Sequence, residues 1–151
     1  MTHWQEATIM HEWSIIDHPT DAELDVISDG VTRFGRAQAV GGNARPVACL
    51  VRDGSEIVAG GSGRTEFNRL FINYLWVTDA LREQGIGSQI LGTLESEAIA
   101  RGCTDALIET LSDQTAALYG RLGYQPLAII PNFVGPFTRH ILIKQLGKHS
   151  A

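Results

Sequence analysis

The stretch Leu70-Phe71-Ile72-Asn73-Tyr74-Leu75-Trp76-Val77 is apolar at both odd and even positions, and it runs through the polar segment Thr78 to Gln84 into Gly85-Ile86-Gly87-Ser88. A strand that is apolar on both faces needs cover on both, which places it at the centre of a sheet. The segment that follows has Ile86, Ile90, Leu94 and Ala98 at successive i+4 positions with Leu91 beside them, a strong amphipathic helix signal. Arg101 and Gly102 close that helix, a cation in the last turn and a glycine just past the end. Asp105 to Leu111 then reads as another strand. A strand, a helix and a returning strand form a crossover unit, so the strand ending near Val77 and the one starting near Asp105 are expected to run parallel.

The flanking segments read as further elements of one sheet. Glu12 to Asp17 alternates enough to predict a strand, and Pro19-Thr20-Asp21 opens a helix on which Leu24, Ile27, Val31 and Phe34 recur at helical spacing. Gly41-Gly42-Asn43 breaks that helix. Pro46 to Arg52, an Asp53-Gly54 turn and Glu56 to Gly60 predict a hairpin, because Asp-Gly supplies the positive φ angles of tight turns. The third strand spans about Asn68 to Thr78. Asp113 to Leu122 predicts a short helix ended by Gly123, and Tyr124 to Ile130 and Thr138 to Lys144 two last strands, with Pro131 to Pro136 a loop between them. The expected class is α/β of the α+β kind: a mixed, mostly antiparallel central sheet of about six to seven strands flanked by helices. With no repeat or linker in its 151 residues, the chain is expected to be one domain, 1–151.

Composition narrows the partners. A chain that is 44% hydrophobic and 19% charged has the makings of an ordinary core without disulfides or a structural metal. Its net charge of -5 argues against nucleic acid, which selects clustered positive charge. Cys49 and Cys103 sit in apolar surroundings and are expected to be free thiols in a reducing compartment. The N-terminus has no basic region followed by an apolar one, and no run is long enough to span a membrane, so a cytoplasmic protein without a membrane partner is expected. His3, His11, His18, His140 and His149 have no metal-ligand spacing, so no metal is expected.

The chemistry is expected at Arg82-Glu83-Gln84-Gly85-Ile86-Gly87-Ser88. Two glycines between a buried strand and a helix N-terminus let backbone approach a ligand, and the unpaired amides there favour an anion such as a pyrophosphate. Arg82 adds a charge-assisted contact. The other reading is that the glycines relieve crowding where helix meets strand. A dinucleotide fingerprint would need glycine where Ile90 stands, and the chain has no Gly-Lys-Ser/Thr of a P-loop. Gly60-Gly61-Ser62-Gly63 lacks the final glycine of a nucleophile elbow, since Arg64 stands there, and reads as a bulge or strand end. Trp76 and Tyr74 read as core. Glu109, polar in an apolar strand, is either a general base or an outward-facing position, and Asn73 either faces a cleft or satisfies a bulge.

Leu75-Trp76-Val77-x4-Arg82-x-x-Gly85-x-Gly87 followed by a helix resembles the acetyl-CoA-binding motif of the GNAT N-acetyltransferase superfamily. Ala117-Leu118-Tyr119-Gly120-Arg121-Leu122-Gly123-Tyr124 is similar to its second signature, and the resemblance covers roughly Ile57 to Leu146. It implies a GNAT-like acyl-CoA N-acyltransferase fold that uses acetyl-CoA as co-substrate. By that resemblance Leu75, Trp76 and Val77 bind the cofactor, the backbone of Leu75 and Val77 pairing with the pantetheine arm like an added strand. The amides of Glu83, Gln84, Gly85, Ile86, Gly87 and Ser88 hold the pyrophosphate with Arg82, and Tyr119 stands by the sulfur as the catalytic acid. Ser112 stands where many members have Asn, and is assigned to the cofactor in its place. The implied activity is direct acetyl transfer to a primary amine of a small molecule or peptide, since neither cysteine lies in a nucleophile motif. Two rivals share the fold: a non-catalytic acyl-CoA sensor and a toxin-type enzyme acting on aminoacyl-tRNA. The C-terminal strands could pair across a homodimer.

Overall fold

Why these residues fold as they do is visible first in the helix α1, Asp21–Gln38. Thr20 and Glu23 form a reciprocal capping box: the Thr20 amide donates to Glu23 Oε1 at 2.9 Å and the Glu23 amide donates to Thr20 Oγ1 at 3.1 Å. The computed structural model describes residues 10–38 and 43–147. The chain divides into two units, Met1–Ala37 and Gln38–Ala151. In the first, Glu12 to Asp17 is not a strand, contrary to its alternating pattern. A strand exists only as a member of a hydrogen-bonded ladder, and among the described residues none pairs with it.

The second unit is built on six strands: β1 Arg45–Asp53, β2 Glu56–Glu66, β3 Arg69–Val77, β4 Asp105–Thr110, β5 Gln125–Val134 and β6 Phe137–Gln145. They lie in the order β1-β2-β3-β4-β6-β5. All neighbours are antiparallel except β3 and β4, the parallel pair that the crossover through α2, Ile86–Ala100, requires. The short helix α3, Asp113–Arg121, joins β4 to β5. Two elements outrun their sequence signals. The strand β2 extends through Gly60-Gly61-Ser62-Gly63 to Glu66, and β5 runs on to Val134, so the expected loop at Pro131 to Pro136 is largely strand.

Ile90, Leu91, Leu94 and Ala98 of α2 are buried against Ala59, Leu70, Ile72, Ala106, Ile108 and Leu142 of the sheet. Each fully buried aliphatic side chain contributes on the order of 1.5–3 kcal/mol. Gly61 admits the helix: a Cβ there would sit 2.8 Å from Ile90 Cγ2. At the far end of α2, Arg101 donates to the carbonyls of Arg45 and Pro46 and to Thr65 Oγ1, tying the helix to β1 and β2. Both cysteines are free, Cys103 buried and Cys49 partly so, and burial pushes the Cys103 thiol up.

One irregularity sets the phase of β3. Ser62 pairs with Tyr74 and Gly63 with Ile72, which leaves Asn73 as the extra residue of a β-bulge. Gly63 is the counterpart of that bulge, because a Cβ there would overlap the Phe71 carbonyl oxygen. Before the bulge Leu70 and Ile72 face α2; after it Leu75 and Val77 take over that face. Tyr74 and Trp76 are therefore turned to the opposite side, where they are 77% and 49% exposed. The expectation that they are core residues is wrong for this reason: an alternating pattern carries no mark of the residue at which its phase slips.

Candidate active site

The parallel ladder between β3 and β4 consists of Arg69 with Asp105, Leu70 with Ala106 and Phe71 with Leu107, and it stops there. Arg69 closes its lower end with two hydrogen bonds to the Asp105 carboxylate, at 2.6 and 3.0 Å. Beyond Phe71 the strands part around a cleft of about 300 Å³ lined by Asn73, Tyr74, Leu75, Glu109, Thr110 and Tyr119, among others. The bulge thus does what both readings of Asn73 asked: Asn73 is the unpaired residue and it lines the cleft.

Backbone parity decides what β3 offers along this open edge. The Thr78 amide donates to the Val58 carbonyl at 3.0 Å, so Thr78 and Val58 are a bonded pair. Bonded and non-bonded pairs alternate in an antiparallel ladder, so the backbone of Trp76 is directed at Gly60 while the amides and carbonyls of Leu75 and Val77 point away from β2. They face the gap left by β4. Trp76 contributes no backbone group to that edge, only a half-exposed ring on the face away from α2. One edge acceptor is already engaged: Arg82 Nε donates to the Val77 carbonyl at 3.1 Å, and its Nη2 pairs with Asp79 Oδ1 at 3.0 Å. Arg82 therefore fastens the loop to the end of β3 and, through a 60% exposed guanidinium, still presents charge to the site.

The loop itself is a concave row of amides. Glu83 and Gly85 both have positive φ, +64° and +80°, on either side of Gln84, and alternation of this kind turns successive N–H groups inward to form an anion-binding nest. Helix α2 makes its first internal bond from the Gln89 amide to the Gly85 carbonyl, so the amides of Ile86, Gly87 and Ser88 are outside the ladder. No side chain caps them. A Cβ on Gly85 or Gly87 would meet almost nothing, its nearest neighbour being Val77 Cγ2 at 4.0 Å from position 87. Crowding between helix and strand does not explain Gly87. Gly85 is set by its left-handed backbone; Gly87 keeps open a space in front of bare amides, which is what a phosphate-bearing ligand needs.

Tyr119 reaches the same cleft from α3. Its ring is 5% exposed and stands 6.0 Å from that of Tyr124, and burial pushes its phenol above the ordinary tyrosine value. No buried polar atom among the described residues lacks a partner, and Tyr119 has no bond of its own, so its hydroxyl must open into the cleft. Tyr124 is different: its hydroxyl donates to Glu95 at 2.7 Å, and Lys144 holds the other oxygen of that carboxylate at 2.9 Å. Burial, with the Glu95 hydrogen bond, pushes the Tyr124 phenol strongly upward, and the triad locks α2 to β6 behind Tyr119.

Ser112 occupies the N-cap of α3, where its hydroxyl oxygen accepts from the Thr115 amide at 3.0 Å. The hydroxyl proton remains free to donate, so capping and a ligand contact are compatible. Ser112→Ala should cost about 1 kcal/mol of stability through the lost cap, read as a lowered melting temperature. Two pairings escaped the sequence reading because their partners lie far apart in the chain. Glu109 is gripped by Arg139 of β6 at 2.8 and 2.9 Å, and Arg139 in turn lies 4.7 Å over the Phe133 ring. His140 Nε2 lies 2.7 Å from Asp113 Oδ1.

A splayed parallel pair, a helix start with uncapped amides and a phenol lining the gap are the features that the fold assembles around the end of β3. The model of the acetyltransferase (GNAT) family matches residues 8–124, and the chain belongs to that family. An acetyltransferase of Agrobacterium fabrum is 30% identical over 136 residues, 89% of this chain and 96% of that one. The blasticidin-S acetyltransferase of Streptomyces morookaense is 33% identical over 92 residues, 60% of this chain and 68% of the relative. The crystal structure of an acetyltransferase from Bacillus cereus superposes with a TM-score of 0.81 at 26% identity, covering 88% of this chain and 98% of that one. The chain is thus an acetyltransferase on the GNAT fold. No described helix is long and apolar enough to cross a membrane.

Proposed function

We propose that this protein transfers the acetyl group of acetyl-CoA directly to the nitrogen of a primary amine carried by a small molecule or a peptide. The observation that carries the reading is that Leu75, its backbone turned away from β2, and Tyr119 line one gap between β3 and β4, while the loop that follows β3 leads into the uncapped start of α2. When bound, acetyl-CoA supplies an acyl thioester whose sulfur departs as a thiolate. Leu75 and the Val77 amide pair with the amides of the pantetheine arm and fix its register. The nest amides and Arg82 neutralise the pyrophosphate, at a point where the α2 macrodipole already favours an anion. Tyr119 donates its proton as charge develops on the sulfur, and its raised pKa keeps it protonated throughout the neutral range.

One relative is named for the acetylation of blasticidin S, which supports an acceptor of that kind, and the net charge of -5 favours a cationic one over RNA. Saturation with acetyl-CoA should raise the melting temperature, since a ligand that binds only the folded state at a hundredfold excess over Kd contributes about 2.7 kcal/mol. NAD and ATP should shift it far less. An unchanged melting temperature in millimolar acetyl-CoA would remove the cofactor from this reading.

A further inference from the structure

Two faces of the sheet meet at the gap, and they differ in character. Leu75 and Val77 pack toward α2, with Ile108 and Tyr119 on the same side, and this face is apolar and buried. Tyr74 and Glu109 point to the other face, because each is one residue out of phase with a core position, and both line the cleft. A charged group on that face at the mouth of the gap has to be held in place, and Glu109 is. Both its oxygens accept from Arg139, which leaves a carboxylate side chain still 43% exposed. A carboxylate has about four acceptor sites, and a bidentate guanidinium uses two of them. The remaining lone pairs are available to a donor entering the cleft.

We propose that Glu109, fixed by Arg139, is the acceptor-binding carboxylate, receiving the incoming ammonium group opposite Tyr119 with the exposed ring of Tyr74 as the adjoining wall. The acceptor class that follows is an alkylammonium carried on an apolar or flat body, whose cationic end is drawn to the carboxylate and to the aromatic face. This rests on the acetyltransfer reading above, and it assigns Glu109 to binding, with the proton of the amine leaving to another acceptor.

The test compares wild type with Glu109→Gln, a change that keeps shape and one hydrogen bond to Arg139, by CoA release across a panel of alkylamines and with hydroxylamine, a nucleophile uncharged at neutral pH. The expected result is a KM for the alkylamines raised about ten- to a hundredfold, the loss of one charge-assisted bond, with kcat near that of wild type. The rate with hydroxylamine and the thermal shift with acetyl-CoA should be unchanged. Glu109→Asp should recover part of the lost affinity. A fall in kcat at constant KM together with loss of the acidic limb of the pH profile would make Glu109 the base and overturn the proposal. Equal losses for charged and uncharged acceptors would make its role structural, and no loss for any amine would remove it from the site. A wild-type protein that releases no CoA with any amine overturns the transfer reading itself, an outcome distinct from all of these.

Discussion

Replacing Tyr119 by Phe should lower kcat by roughly 10²–10⁴-fold, the usual contribution of a positioned general acid, with acetyl-CoA affinity nearly unchanged. The structure sharpens the reason. A phenol near 10 and a thiol near 8.5 make the proton transfer unfavourable in water, and burial pushes Tyr119 further up, so acidity is not what it supplies. What it would supply is position: a ring 6.0 Å from that of Tyr124 and a hydroxyl that opens to the gap. The Phe variant retains the ring and its packing, so its melting temperature should stay close to that of the parent. The sign of the pH effect follows from the shift. A raised pKa keeps the acid form dominant, so any loss of rate from ionisation of Tyr119 lies above pH 10 and the variant should be deficient at every lower pH. A rate within twofold of the parent on any accepted amine would take Tyr119 out of the chemistry.

The second large effect is expected at Gly87. Gly87→Val should weaken acetyl-CoA binding by about two orders of magnitude, the loss of two charge-assisted amide contacts, because its side chain fills the space in front of the nest. The fold should hardly respond. The nearest atom to a Cβ at this position is 4.0 Å away, and intrinsic helix propensity differs by only ~0.3 kcal/mol, in favour of valine. The check is a pair of melting curves: the apo variant close to the apo parent, and the acetyl-CoA shift abolished in the variant alone. Equal destabilisation of the apo form would return Gly87 to a packing role.

Sequence and structure agree best where the signal is local. The α2 helix, its stop at Arg101 and Gly102, the parallel pair across the crossover and the glycine loop are each written in a short run of residues, and each lies where the run predicts. The Tyr119 signature is likewise local, and it was legible as a motif before its ring was seen to stand in the gap. What the sequence could not show depends on partners distant in the chain. The Glu12 to Asp17 pattern has no ladder to join among the described residues, and Glu109 meets Arg139 only because β6 inserts beside β4. Arg82 was expected at the ligand, yet its closest partners are the Val77 carbonyl and Asp79, within its own loop. The phase slip at Asn73 is the costliest omission, since it turned two expected core aromatics outward.

That slip also divides β3 into two stretches that tolerate substitution differently. Up to Ile72 the side chains are fixed by close packing, where a lost methylene is felt. From Tyr74 onward the outward positions are exposed, and substitutions at such sites usually change stability by no more than about 0.5 kcal/mol. Side chains at positions 74 and 76 can therefore change with little cost to the fold, while the backbone of Leu75 and Val77 stays turned away from β2 whatever those side chains are. A single strand thus joins a rigid half to a permissive half, and the bulge is the boundary between them.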